Sequence, residues 1–210
     1  MPTSVLLFPL SYLSLRDEQG RPLFRRNWVA VLMIVVVVSA PFIMFDANYF
    51  GDKGFLDRFG SFSAVLTGFY IAALVGVASF ASSLGDLDDE IEVGKIKRPM
   101  RSSDDDGYLT RRQYVCSMFG YLSFISLALS VIAILLIVAA QPAKSVLDAL
   151  TEGLLPEKSR QLVEFVGAAV ILSFNIVLAH LLVTTCYGLY YLIDRLYATK
   201  PKMLPKKAKG

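Results

Sequence analysis

The stretch from Tyr114 to Ala140 reads YVCSMFGYLSFISLALSVIAILLIVAA, twenty-seven residues without a charge. A helix needs about 20 such residues to cross the roughly 30 Å hydrocarbon core of a bilayer. Three further runs flank it, at residues 28–45, 62–83 and 165–193, and all 39 charged residues fall outside the four. Composition agrees. Of 210 residues, 55% are hydrophobic and 19% charged, with mean hydropathy +0.54. Soluble domains average about 45–50% apolar and 25% charged. One apolar helix fits the core of a soluble domain, but four in succession do not. The expected fold is therefore all-α, an integral membrane protein with four transmembrane helices. No internal repeat is detectable.

Orientation follows from the basic residues in the connections, which are retained on the cytoplasmic side. The N-terminal segment 1–27 carries Arg16, Arg21, Arg25 and Arg26. Connection 84–113 carries Lys95, Lys97, Arg98, Arg101, Arg111 and Arg112, and the tail 194–210 carries six more, from Arg195 to Lys209. These segments share one side and total 16, against 5 on the other: Lys53, Arg58, Lys144, Lys158 and Arg160. Both termini are expected in the cytoplasm. The net charge of +3 is too small to argue for nucleic acid. Cys116 and Cys186 are too few for a disulfide framework or a metal site, and they read as small packing residues in a reducing compartment. No cofactor is expected.

The apolar stretch 5–10 precedes its basic residues, the reverse of a signal peptide. It is expected to lie on the cytoplasmic membrane surface or to pack on the cytoplasmic connection. Loop 46–61 mixes Tyr49, Phe50, Phe55 and Phe59 with Gly and Asp, as the headgroup zone favours. Loop 141–164 reads as a short amphipathic helix with Val146, Leu147, Leu150 and Leu154 on one face and Pro156 as its stop. In the cytoplasmic connection, Asp86, Asp88, Asp89, Glu90 and Glu92 precede the basic residues Lys95, Lys97, Arg98 and Arg101. Two patches of opposite sign at a membrane surface can steer and orient a soluble partner, so these nine residues are the candidate partner-binding set. Thr110-Arg-Arg-Gln113 matches a capping box and predicts that the third helix starts about one turn before the membrane.

Inside the spans, His180 is the only histidine. Ser173, Thr184, Tyr187 and Tyr191 share its helical face, and such a polar stripe must meet protein or water. The expectation is a histidine hydrogen-bonded across a helix interface, with a proton relay or pore lining as the alternative; Asn175 is expected to make a second interhelical contact. Ala64, Gly68, Ala72 and Gly76 recur every fourth residue, a small stripe for close packing within the chain or between subunits. Cys116, Gly120, Ser123 and Ser130 form a second packing seam.

The segment from Asp86 through Asp88, Asp89 and Glu90 to Lys95, Arg98, Pro99 and Ser102 resembles the first acidic motif of UbiA-type prenyltransferases, where Asp residues hold Mg²⁺ and a diphosphate. It departs from that motif at Val93 and in its spacing to Arg98-Pro99, and no second acidic motif follows. The whole chain looks like the small four-span membrane subunits of bacterial phage-defence and mobile-element operons, of the Kiwa membrane-subunit type, and residues 109–124 look like stretches of such proteins. That resemblance implies a bacterial inner-membrane homo-oligomer, surrounded by membrane lipids, that senses a membrane event with a soluble cytoplasmic partner. The leading expectation is a non-enzymatic sensor or scaffold, with anti-phage defence as the setting the resemblance implies. A pore-forming effector and a UbiA-like lipid-diphosphate enzyme are the alternatives.

Overall fold

The computed structural model describes residues 5–25, 27–45, 47–50, 53–79, 91, 96–97, 108–151 and 156–195. Four α-helices carry the architecture: α1 (Trp28–Met44), α2 (Phe55–Ser79), α3 (Arg111–Thr151) and α4 (Pro156–Tyr190), the last closing in a π-helical turn, Tyr191–Arg195. Three stretches are long and apolar enough to cross a membrane: Phe55–Ser79, Arg111–Ala140 and Glu164–Ile193. The fourth helix, α1, is shorter at 17 residues, about 25 Å at a 1.5 Å rise per residue.

Helix boundaries differ from the hydropathy runs because hydropathy marks lipid contact, whereas a helix continues wherever its backbone bonds can. α2 begins at Phe55, two turns before the apolar run, with Asp57 in its first turn where a carboxylate complements the helix dipole. Leu56 and Phe59 are already buried there. The separate amphipathic helix expected in loop 141–164 does not form: α3 continues through Pro142 to Thr151. Pro156 opens α4 instead of stopping a helix. Its fixed φ and missing N–H cost nothing at a first helical position. The capping box at the start of α3 is present, with the Gln113 N–H donating to Thr110 Oγ1 and the Thr110 N–H to Gln113 Oε1, both at 3.3 Å.

The helices pack antiparallel in the order α2, α3, α4, α1. The α2 seam is Gly60, Ser63, Thr67 and Tyr70, all buried against α3 or α4. A Cβ on Gly60 would sit 3.0 Å from the Ala133 Cβ, so glycine sets the close approach there. α1 buries only Val31, Val35 and Ser39, one residue per turn, with the two valines against Ala179 of α4. Its other faces present Val29, Leu32, Met33, Val36 and Val37 outward. In water such a surface would be an association hazard. Beside acyl chains it carries no penalty.

The N-terminal segment Val5–Ser14 forms a 3₁₀ helix against α3, burying Tyr12 and, just beyond it, Leu15. A tight turn follows. Asp17 accepts the N–H groups of Gln19 and Arg21, and Gly20 takes a φ of +75°. Arg16 and Lys97 then exchange both backbone bonds, N to O at 3.0 and 2.9 Å, while the Leu109 N–H donates to the Ile96 carbonyl. The 3₁₀ segment therefore packs on α3, and beyond it Arg16 bonds to Lys97 of the connection between α2 and α3. This end of the bundle also holds the start of α1 and the end of α4.

Candidate functional site

α4 presents His180, Thr184, Tyr187 and Tyr191 down one face, and the N-terminal segment closes over them. His180 Nδ1 lies 3.1 Å from the Tyr121 hydroxyl of α3, with the two rings perpendicular. Tyr12 stacks on Tyr121 at 5.0 Å between centroids. Tyr114 completes the layer, 6.3 Å from Tyr12 and edge-on to Tyr191 at 5.1 Å. Tyr187 donates to Asn27 Oδ1 at 2.9 Å, tying the end of α4 to the start of α1. Tyr12, Asn27, Tyr114, His180, Thr184 and Tyr187 line a cavity of about 30 Å³. A water needs about 10–15 Å³ and several polar partners, so the cavity has room for one or two waters. Among the described residues no group of three His, Cys, Asp or Glu side chains could hold a metal ion.

Deeper in the bundle, polar groups pair helix to helix, as an apolar solvent demands. Tyr49, from the loop before α2, donates to Asn175 Oδ1 at 3.1 Å, and Asn175 Nδ2 donates to Ser39 Oγ at 2.9 Å. Burial pushes the Tyr49 phenol well above its ordinary range, so it remains a neutral donor. Phe42, Phe55 and Phe174 surround it. Ser63 donates to the Ser126 carbonyl at 2.7 Å, and Thr67 Oγ1 lies 2.9 Å from Ser126 Oγ. Thr185 donates to the Leu181 carbonyl, which leaves Tyr70 as the donor in their 2.6 Å contact.

The sequence-derived candidates divide accordingly. Ser173 does not join His180; it is exposed on an apolar groove between α3 and α4. Ala64, Gly68 and Ala72 are exposed and Gly76 is half-buried, and a Cβ on Gly68 or Gly76 meets nothing within 4 Å. Among the described residues the small stripe therefore packs against no other helix. That role falls to Gly60, Ser63 and Thr67 on the neighbouring face, because hydroxyls must find partners away from lipid. In the α3 seam, Ser130 is buried, whereas a Cβ on Gly120 meets nothing and Ser123 bonds back to the Gly120 carbonyl. Cys116 is half-buried and Cys186 exposed. Of the nine candidate partner-binding residues only Lys97 is described: it is exposed, with Nζ 5.0 Å over the Tyr108 ring. Asp86, Asp88, Asp89, Glu90, Glu92, Lys95, Arg98 and Arg101 lie outside the described residues, as does the tail beyond 195.

Sequence reasoning passed over Tyr12, Tyr114 and Tyr121. The i, i+7 spacing of the two α3 tyrosines was the available signal, since it puts both on one face beside the polar stripe of α4.

Fold and site together define a multi-pass helical membrane protein in which several buried polar groups are paired across helices. Comparison with family models, with curated proteins and with solved structures finds no match for this chain.

Proposed function

We propose that the chain is a non-enzymatic, oligomeric bacterial inner-membrane protein that serves as a sensor or scaffold for a soluble cytoplasmic partner. In this reading α1 completes a fourth crossing and both termini face the cytoplasm. The observation that carries the reading is the seating of the N-terminal segment. Its Arg16 is bonded to Lys97 of the connection through two backbone bonds, while its Tyr12 stacks on the tyrosine bonded to His180. A partner that docks on the connection thus acts on a segment keyed into the bundle, which is what coupling a membrane event to a soluble protein requires. The 16-to-5 basic asymmetry supports the orientation.

The test neutralises Asp88, Asp89 and Glu90 to Asn, Asn and Gln and compares material purified in mild detergent across a salt series. Insertion and oligomer size stay as in wild type, while recovery of the soluble partner falls and loses salt sensitivity. Equal recovery from both proteins at every salt concentration contradicts docking on the connection. The pore reading draws on the polar cavity beside His180 and predicts unitary conductance in planar bilayers. The UbiA-like reading predicts Mg²⁺-dependent prenyl transfer.

A further inference from the structure

α3 and α4 join tightly at the end near the N-terminal segment and part towards the other end. At Gly188 an added Cβ would come within 2.9 Å of the Met118 methyl, and Tyr121 meets His180 one helical stretch further in. Beyond that point Leu129, Ile132 and Leu136 of α3 face Phe165, Ala169 and Val177 of α4 across a volume of about 580 Å³. We propose that this groove is a binding site for one acyl chain of a phospholipid from the leaflet opposite the N-terminal segment.

The walls fit hydrocarbon. Among twelve lining side chains one polar group occurs, the Ser173 hydroxyl, and no charge. The α3 wall runs from Ile125 to Leu136, about 16 Å at 1.5 Å per residue. Half of a roughly 30 Å hydrocarbon core is about 15 Å, so the groove has the reach of one chain in one leaflet. It is also continuous with the surface that meets lipid, since Ile132, Phe165, Val166 and Val177 on its rim are exposed. A polar ligand would lose its hydrogen bonds there, because one hydroxyl cannot replace them. A second copy of the chain fits less well. Close helix association in a bilayer uses small-residue faces, and nine of the twelve lining residues are larger than alanine or serine. An acyl chain is narrow enough to lie between two helices and supplies dispersion contacts to the exposed wall residues Ile132, Phe165, Ala169 and Val177.

The test is native mass spectrometry of the full chain purified in mild detergent, after washing that strips loosely held lipid. Wild type retains one phospholipid per chain. Ala169→Trp fills the groove and Ala128→Leu fills it partly; retention falls by about tenfold in the first and by less in the second. Ala64→Trp, on the exposed face of α2, retains as much as wild type. Circular dichroism and gel filtration establish that each variant is folded. A second arm needs no variant: stripped wild type is titrated with palmitoyl-oleoyl phosphatidylglycerol, and its melting temperature rises until one lipid per chain is bound. Equal retention in wild type and both groove variants overturns the proposal, as does an equal loss in Ala64→Trp. A retained mass matching a free fatty acid overturns the phospholipid assignment. If the groove variants keep their lipid but lose oligomer size, the occupant is a second copy. A melting temperature that does not saturate at one lipid per chain also counts against the site.

Discussion

Asn175 concentrates the polar chemistry of the far half of the bundle in one side chain. It is fully buried, accepts from Tyr49 and donates to Ser39, so it joins a loop, α1 and α4 at one point. Asn175→Leu leaves a buried phenol and a buried hydroxyl unpaired, an arrangement that typically costs about 1–3 kcal/mol. Single interhelical hydrogen bonds in bilayers average closer to about 0.6 kcal/mol, since the separated helices find other partners. The expected result is a clear drop in melting temperature for Asn175→Leu and a smaller one for Tyr49→Phe. Equal melting of wild type and Asn175→Leu would show that the network adds nothing. At His180, replacement by Gln keeps a hydrogen-bonding group opposite Tyr121 and removes the imidazole that a proton relay would need. Partner recovery and oligomer size should survive His180→Gln and suffer in His180→Leu. Loss of function in a normally assembled Gln variant would favour the proton-relay alternative.

At the scale of the helix, α2 shows what sequence reveals and what it hides. Its two small-residue faces, Ala64/Gly68/Ala72/Gly76 and Gly60/Ser63/Thr67, are interleaved, and spacing alone favours the more regular one. The bundle uses the other, because Ser63 and Thr67 have hydroxyls that lipid cannot satisfy while Gly and Ala do not. Legibility followed the strength of the physical demand. The apolar runs behind α2, α3 and α4 were readable because a bilayer imposes length and excludes charge, and the capping box was readable because its residues are local. The run of α3 past Pro142 was not, since the end of hydropathy is not the end of hydrogen bonding. Nor was the burial of Tyr12, which depends on a contact with Tyr121 far along the chain. The packing assignment has a direct check. Gly60→Leu and Gly188→Leu should each destabilise the bundle by about 1–3 kcal/mol, as overpacking does. Gly68→Leu should leave the melting temperature unchanged, and any loss of native-gel size in that variant would mark the stripe as a subunit contact. A large fall in Gly68→Leu alone would reverse the assignment of the two faces.

For the whole molecule, the consequence is mechanical. The N-terminal segment is bonded to the connection at Arg16 and keyed into the aromatic layer over His180 just before it, at Tyr12. Tyr12→Ala should loosen that seat, with faster amide exchange at Leu15 and Leu23, whose backbones are bonded to each other, and reduced partner recovery. Unchanged exchange at both amides would mean that the turn holds without the stack. Partner docking requires that this end of the bundle face the cytoplasm and that the short α1 cross the bilayer. Reporter fusions placed after Lys53 and at Gly210 test both points in a single measurement of sidedness. The account predicts a cytoplasmic signal at Gly210 and an external one after Lys53. An external C-terminus, or two reporters on the same side, would contradict it.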